Sequence, residues 1–322
     1  MPKVSVIIPV FKVAAFAERC ARALMEQTLE DAEFIFVDDA SPDNSMEIIH
    51  KVCEAYPKRD VKYLVHPQNK GLPAARNTGL AVATGDYIWH CDSDDYPDLH
   101  LLEKMYLAAM KADADIAYCD FWLDYGTHRR YMHNPTYTSA QDMLQEGYLA
   151  GLMKYNVWNK LIRRDLYEGI SFPEGHSMGE DMTVIPLTVK ARTVVHVPEA
   201  LYYYVKLNDN AFSNTFSQKH LEDIRYNIDR IWPSLDGIPE AFKAFFKLNT
   251  KLPFLFSGKH SQYNLWREWF PESNAYIRQN HFQPTRTRLV QQWAAMGLWP
   301  LVWAYSFLVN KVFYGLAVRF KK

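Results

Sequence analysis

The chain opens on Val4-Ser5-Val6-Ile7-Ile8-Pro9-Val10, an apolar, β-branched run that reads as a strand buried on both faces. A helical pattern over 14–27 follows, then a second apolar strand, Glu33-Phe34-Ile35-Phe36-Val37. Residues 43–56 predict a second helix, with Ser41 or Asp43 able to cap it. Further strands are expected at 61–65, 87–89 and 115–119, and further helices at 73–83 and 98–112. Pro73 suits a first helical turn, where a missing N–H costs nothing. From about Phe121 to Pro198 the pattern is mixed, with short strands at 118–125, 129–133 and 193–197 and a helix at 180–190. Beyond Tyr204 the pattern is helical to the end, and no internal repeat interrupts it.

Strands alternating with helices predict an α/β fold, a mainly parallel sheet with flanking helices and a C-terminal helical region. In such sheets ligands bind beyond the carboxyl ends of the strands. The residues there are Pro9-Val10-Phe11, Asp38-Asp39-Ala40-Ser41, His66-Pro67-Gln68-Asn69 and Asp92-Ser93-Asp94-Asp95. Three of these four groups are rich in polar or acidic residues.

Composition narrows the function. A formal net charge of -1 argues against a general nucleic-acid binder, which needs long-range attraction. A phosphorylated ligand would have to be held locally, by a metal or a few placed side chains. Cys20, Cys53, Cys91 and Cys119 show no metal-ligand spacing and read as buried, reduced thiols. Met1-Pro2-Lys3 runs into the first strand without a cleavage site, so a reducing, cytoplasmic setting is expected.

Four constellations can carry chemistry. Asp92, Asp94 and Asp95 repel one another unless a cation sits among them, and a few hard oxygen ligands suit Mn²⁺ or Mg²⁺. The alternative is a solvated loop in which Asp95 or Asp98 caps the next helix. Asp38 and Asp39 end the second strand, where an acid can bind a nucleotide's base or ribose, or Ser41 and Asp43 simply cap a helix. In Asn69-Lys70-Gly71-Leu72-Pro73-Ala74-Ala75-Arg76-Asn77, Gly71 permits close backbone approach, and Lys70 and Arg76 offer charge for a diphosphate. Glu180-Asp181 follows Gly179 and precedes an apolar helix; it is either a general base or an acidic first turn favoured by the helix dipole.

Taken in order, Val4 to Phe11, Val37-Asp38-Asp39-Ala40-Ser41-Pro42-Asp43, Asn69-Lys70-Gly71 with Ala75-Arg76-Asn77, Asp92-Ser93-Asp94-Asp95, Trp158-Asn159-Lys160-Leu161 and Gly179-Glu180-Asp181 resemble the family 2 glycosyltransferases of the GT-A fold. The resemblance covers residues 3 to 205. It implies a catalytic domain over 1–205, a helical region over 206–322, and an inverting transfer from a nucleotide sugar, with UDP the commonest nucleotide. It implies that Asp39 binds the base, that Pro9 and Phe11 line the base pocket, and that Asp38, Lys70, Arg76 and Ser93 lie at the nucleotide and diphosphate. Many relatives have tyrosine where this chain has Phe11. Asp94, then Asp92, would hold the metal, and Asp181 would be the base with Glu180 beside it. A carboxylate base titrates well below neutral pH in water and so needs no tuning. The Gln-x-x-Arg-Trp motif of processive members is absent, since Gln291-Gln292-Trp293 lacks the arginine, so a single sugar is expected per acceptor. A sugar-1-phosphate nucleotidyltransferase would need a glycine-rich loop where Pro9-Val10-Phe11-Lys12 stands. A non-catalytic subunit would have lost the carboxylates, which are present.

No charged residue lies between Arg288 and Lys311, a stretch holding Trp293, Trp299 and Trp303, and Lys311, Arg319, Lys321 and Lys322 follow it. Gln291, Gln292, Gly297, Pro300 and Ser306 interrupt it as a membrane span. Two expectations remain for 289–322: packing on the domain, or peripheral contact with an anionic membrane's inner face. The second suits a glycan or lipid-linked acceptor.

Overall fold

The structure, a computed structural model, describes residues 2–208, 217–257 and 260–309. The chain forms two compact units. The first runs to Met143 and resumes over Tyr155–Leu235; the second takes in Leu144–Lys154 and the chain from Asp236 on.

In the first unit, β1 (Val4–Val10) is buried at every residue, as its unbroken apolar run requires. Full burial of each Val or Ile side chain contributes about 1.5–3 kcal/mol, so this strand anchors the sheet. It pairs in parallel with β2 (Ala32–Asp38) and β4 (Tyr87–His90), and β2 pairs in parallel with β3 (Asp60–Val65). Helices α1 (Ala14–Met25), α2 (Ser45–Cys53) and α3 (Leu72–Val82) are the crossovers between these strands. Val4, Val6, Ile8 and Val10 pack with Ala17, Cys20, Ala21 and Leu24 of α1 in one core. Gly79 of α3 passes so close to β1 that a Cβ there would sit 2.4 Å from Ile7 Cγ2. All four cysteines are free and buried, as expected.

Beyond β4 the sheet becomes mixed. After β5 (Tyr96–Pro97) and α4 (Leu101–Ala112), the strands expected at 115–119 and 118–125 are one strand, β6 (Ile116–Asp124). It carries β7 (Arg129–Met132) as an antiparallel neighbour. A short α5 (Ala140–Asp142) precedes β8 (Lys160–Arg163), which the apolar pattern did not predict. β8 lies antiparallel between β4 and β6. The expected helix at 180–190 divides into a 3₁₀ turn, Glu180–Thr183, and α6 (Val184–Lys190). β9 (Val194–Val205) then pairs in parallel with β6, with a bulge at Asp120. The strand order is β3-β2-β1-β4-β8-β6-β9-β5, and α7 (Gln218–Ile231) completes the unit.

The second unit is helical: α8 (Glu240–Phe256), α9 (His260–Glu268), α10 (Thr285–Ala295) and α11 (Trp299–Phe307). Lys251 of α8 is fully buried, and its ammonium donates to Trp269 O, Phe270 O and Asn274 Oδ1 while lying 4.3 Å from the Trp266 ring centroid. Burial lowers its pKa to about 7, so three acceptors and an indole face are what keep it there. No helix among the described residues is long and apolar enough to cross a membrane. Lys311, Arg319, Lys321 and Lys322 lie outside the described residues.

Candidate active site

The acidic cluster follows β4, and its residues face different neighbours. Ser93 is buried and donates 2.6 Å to Pro9 O, which ties the cluster to the end of β1. Asp95 is buried too: it accepts from Tyr202 Oη at 2.8 Å and Val205 N at 2.7 Å, anchoring the loop to β9. Burial, then the charges of Asp94 and Asp92, push its pKa well up. Asp98 accepts from His100 N just ahead of α4, whose first turn has no side-chain cap.

Asp94 is half-buried and accepts from Asn208 Nδ2 at 2.8 Å. Burial and the charge of Asp92 raise its pKa, against the Asn208 hydrogen bond. Among the described residues no three His, Cys, Asp or Glu side chains converge as a closed metal site. Two neighbouring carboxylates on one loop are the kind of oxygen donors that suit a hard cation completed by water and phosphate.

Arg76, on α3, is the centre of the site. Its guanidinium is 1% exposed and donates to Asp181 Oδ1 at 2.8 Å, Asp92 Oδ1 at 3.1 Å and Glu180 Oε1 at 3.4 Å. It also lies 5.3 Å from the Phe172 ring centroid, while its Nε has no partner among the described residues. Burial opposes its charge, but Asp181, Asp92 and Glu180 outweigh that and hold it fully protonated. Thus the structure brings Arg76, Asp92, Glu180 and Asp181 together from three separate segments.

One cation among three carboxylates leaves an excess of negative charge. Burial and the charge of Asp181 push Glu180 up to about 8, against Arg76. Burial, joined by Asp92, also raises Asp181, while Arg76 and Lys160 oppose the shift. This corrects the expectation that the Asp181 carboxylate needs no tuning: it is shifted upward by burial and moderated by a fixed arginine.

Asp39 is 3% exposed and fully engaged. Oδ1 accepts from Lys70 N at 2.8 Å and lies 2.7 Å from His66 Nδ1; Oδ2 accepts from Gly71 N at 2.8 Å. His66 Nε2 in turn meets Thr78 Oγ1 at 2.8 Å. The carboxylate therefore shapes the 69–71 turn, in which Gly71 has a φ of 89° that only glycine adopts without strain. A Cβ at Gly71 would also press on Ser177 Oγ at 3.2 Å. Asp38 accepts from Ser41 N at 2.8 Å, and Ser41 Oγ accepts from Lys12 N at 2.8 Å, joining the turns after β1 and β2. Phe11 is exposed, as is Lys70. Among the described residues neither side chain makes a hydrogen bond or ion pair to Asp92, Asp94, Glu180 or Asp181.

Three polar groups at this site were given no role from sequence. Asn208 reaches Asp94 from beyond β9, where nothing in the local pattern marks it. Tyr155 is half-buried, and burial with the charges of Asp181 and Glu180 raises its hydroxyl to about 12. Lys160 is fully buried, donating to Asn156 O and to Asn159 Oδ1 at 2.8 Å. Burial lowers its pKa to about 7, against the attraction of Asp181. Its signal was present in Trp158-Asn159-Lys160-Leu161: a lysine set between large apolar residues has a buried partner or a function.

The sequence profile described as glycosyl transferase family 2 matches residues 5–185, more than half of the chain and all of the carboxylates above. The chain belongs to glycosyl transferase family 2. EpsJ of Bacillus subtilis, described as an uncharacterised glycosyltransferase, is 34% identical over 216 residues, 63% of this chain and 61% of EpsJ. The chain thus covers about three fifths of that relative. In fold it is similar to residues 1–349 of S. aureus TarS in complex with UDP-GlcNAc, with a TM-score of 0.72, 20% identity, and 94% of this chain and 90% of that one covered. A more distant likeness is the mannosyltransferase PcManGT of Pyrobaculum calidifontis in complex with GDP-Man and Mn2+, with a TM-score of 0.50 and 15% identity over 96% of this chain and 88% of that one. The expected GT-A architecture and its helical C-terminal region are therefore borne out, with a sheet more mixed than the strand pattern alone suggested.

Proposed function

We propose that the protein is an inverting glycosyltransferase that moves one sugar from a UDP-sugar to a hydroxyl of a glycan or lipid-linked acceptor. The observation that carries this is the Arg76 cluster: a buried guanidinium joining Asp181 and Glu180 to Asp92, in the loop after the parallel strand β4 that also carries Asp94. Asp181 accepts the acceptor's proton as the hydroxyl oxygen bonds to the anomeric carbon. The bond from that carbon to the diphosphate breaks on the opposite side, so configuration inverts. Arg76 keeps Asp181 ionised in a buried setting, and Asp39 holds the Lys70–Gly71 turn where the base and ribose dock, beside Pro9, Phe11 and Asp38. A divalent cation, Mn²⁺ or Mg²⁺, held by Asp94 and Asp92 would supply charge neutralisation for the departing diphosphate. The UDP-GlcNAc complex of TarS supports the nucleotide, and the Mn2+ complex of PcManGT supports the metal, each through likeness of fold.

The expected result of a thermal-shift screen is stabilisation by UDP and a UDP-sugar that depends on Mn²⁺ and is lost in Asp94→Asn. At about 100 Kd the gain is about 2.7 kcal/mol. Stabilisation by GDP instead, or with no difference in Asp94→Asn, would reject the donor and metal assignments. NMR of the anomeric proton in the product reads inversion directly.

For the second unit we favour contact with an anionic membrane. On α11, Val302 and Ser306 are buried, while Leu301, Trp303, Phe307 and, just after the helix, Leu308 are 44–50% exposed. Residues 289–322 contain no acidic residue and four basic ones, which suits a negatively charged lipid surface. The full chain should float with vesicles of one part phosphatidylglycerol to three of phosphatidylcholine. Trp303→Ser with Phe307→Ser should reduce the bound fraction by about tenfold. Equal flotation with neutral vesicles, or none at all, would exclude this surface.

A further inference from the structure

The acidic pair opens a 3₁₀ turn at the end of a loop, and a loop needs something to hold it. Residues 171–179, just before Glu180, contain Gly175 and Gly179 at positive φ and no regular element. On one side Asn77 of α3 clasps the loop's start, donating 3.0 Å to Phe172 O and accepting 2.8 Å from Phe172 N. On the other side α7 grips it through a row of side chains one turn apart.

Asp223 is 1% exposed. It accepts from Lys219 Nζ at 2.6 Å and Met178 N at 3.3 Å, and lies 3.0 Å from His176 Nδ1. Burial opposes its charge, yet Lys219, His176 and Met178 N–H hold its pKa below the usual range, so it stays an acceptor. Asn227, one turn on, is wholly buried and donates to Met178 O at 3.1 Å and His176 O at 3.4 Å. Arg230 donates to Thr183 Oγ1 at 2.9 Å and Ser171 O at 3.1 Å, closing the loop at both ends. The His176 ring stacks on Tyr226, with centroids 3.7 Å apart.

We propose that Asp223 and Asn227 are positioning residues: they fix the backbone of 176–178 so that Asp181 and Glu180 meet Arg76, and the rate of transfer depends on a helix that touches no reacting atom. This rests on the reading of Asp181 as the base. Buried side chains that spend their hydrogen bonds on loop backbone, rather than on their own helix alone, point to this purpose. A base misplaced by about 1 Å loses roughly a hundredfold in rate, so the clamp should act on kcat and spare donor binding.

The test uses the full chain with four single variants: Asp223→Asn, His176→Ala, Asp181→Asn, and Asp229→Ala on the exposed side of α7 as control. Hydrogen–deuterium exchange of the free protein needs no donor. Asp223→Asn should raise exchange across 174–183 by about tenfold and leave the β1–β4 peptides unchanged. UDP release from UDP-N-acetylglucosamine with Mn²⁺ should fall about ten- to hundredfold in kcat, with KM within about twofold. His176→Ala, at a site 28% exposed, should fold and show a smaller change of the same kind. Wild-type exchange at 174–183 in Asp223→Asn, or KM rising with kcat intact, overturns the clamp. If Asp181→Asn is inactive while Asp223→Asn is not, only the clamp fails; if Asp181→Asn releases UDP normally, the base assignment fails first.

Discussion

Replacing Asp181 with Asn is expected to lower transfer by about 10²–10⁴-fold, the range for loss of a positioned general base. The amide keeps the size of the side chain and can still accept from Arg76, so the fold should survive and the donor should still bind. The loss should therefore fall on kcat, with the KM for donor little changed. Glu180→Gln should lose far less, because Glu180 is held near 8 and is mostly protonated at neutral pH, where it cannot serve as base. The pH dependence separates the two. Transfer requires ionised Asp181, whose pKa is raised by burial and Asp92. Activity should therefore fall on acidification, with a midpoint above that of an ordinary aspartate. Steady-state rates of the two variants across the acid range check this. If Glu180→Gln is the inactive one, the roles must be exchanged.

How much of this could be read from the chain depended on whether a residue's partner lay nearby in sequence. β1, β2 and β4 were legible because strands buried on both faces are largely apolar, and the acids that follow them mark the carboxyl edge. β8 was not, because only Leu161 and Ile162 lie between Lys160 and Arg163, too short an apolar run to mark a strand, and only the fold supplies the oxygens that let a lysine be buried. Arg76 was legible as a cation near the chemistry, but its partners were not: Asp181 lies on a loop far along the chain, and no spacing rule joins them. For the same reason Asp39 read as an open acid, while the structure engages both its oxygens with the 69–71 turn and His66. Asn208, Asp223 and Asn227 follow the region where motifs were recognisable and occupy ordinary polar positions. Their place against Asp94 and the acidic loop exists only in three dimensions.

Replacing Arg76 with Met should produce the largest loss of stability of any single change at the site. Met preserves much of the bulk but leaves Asp92, Glu180 and Asp181 without the cation that binds all three. Removing one partner from a buried ion pair costs about 3–5 kcal/mol, since the remaining charges stay desolvated. Protonation offers the variant an escape, and that sets the pH dependence. Already in the unmodified protein Glu180 is raised from 4.5 to about 8, so the folded state binds more protons than the unfolded state between those values. Its contribution is present in full below the unfolded value and is lost as pH rises through the folded one. Without Arg76, which holds both down, Glu180 and Asp181 rise further, so the same sign applies over a wider range. Stability of Arg76→Met should drop more steeply with rising pH than that of the parent, up to about 1.4 kcal/mol per unit for each proton. Adding Glu180→Gln should flatten both curves, because it removes the proton that the folded state retains. Urea unfolding across mildly acid to mildly alkaline pH measures all of this. An Arg76→Met protein as stable as the parent at alkaline pH would mean that the three carboxylates are not held together by this arginine.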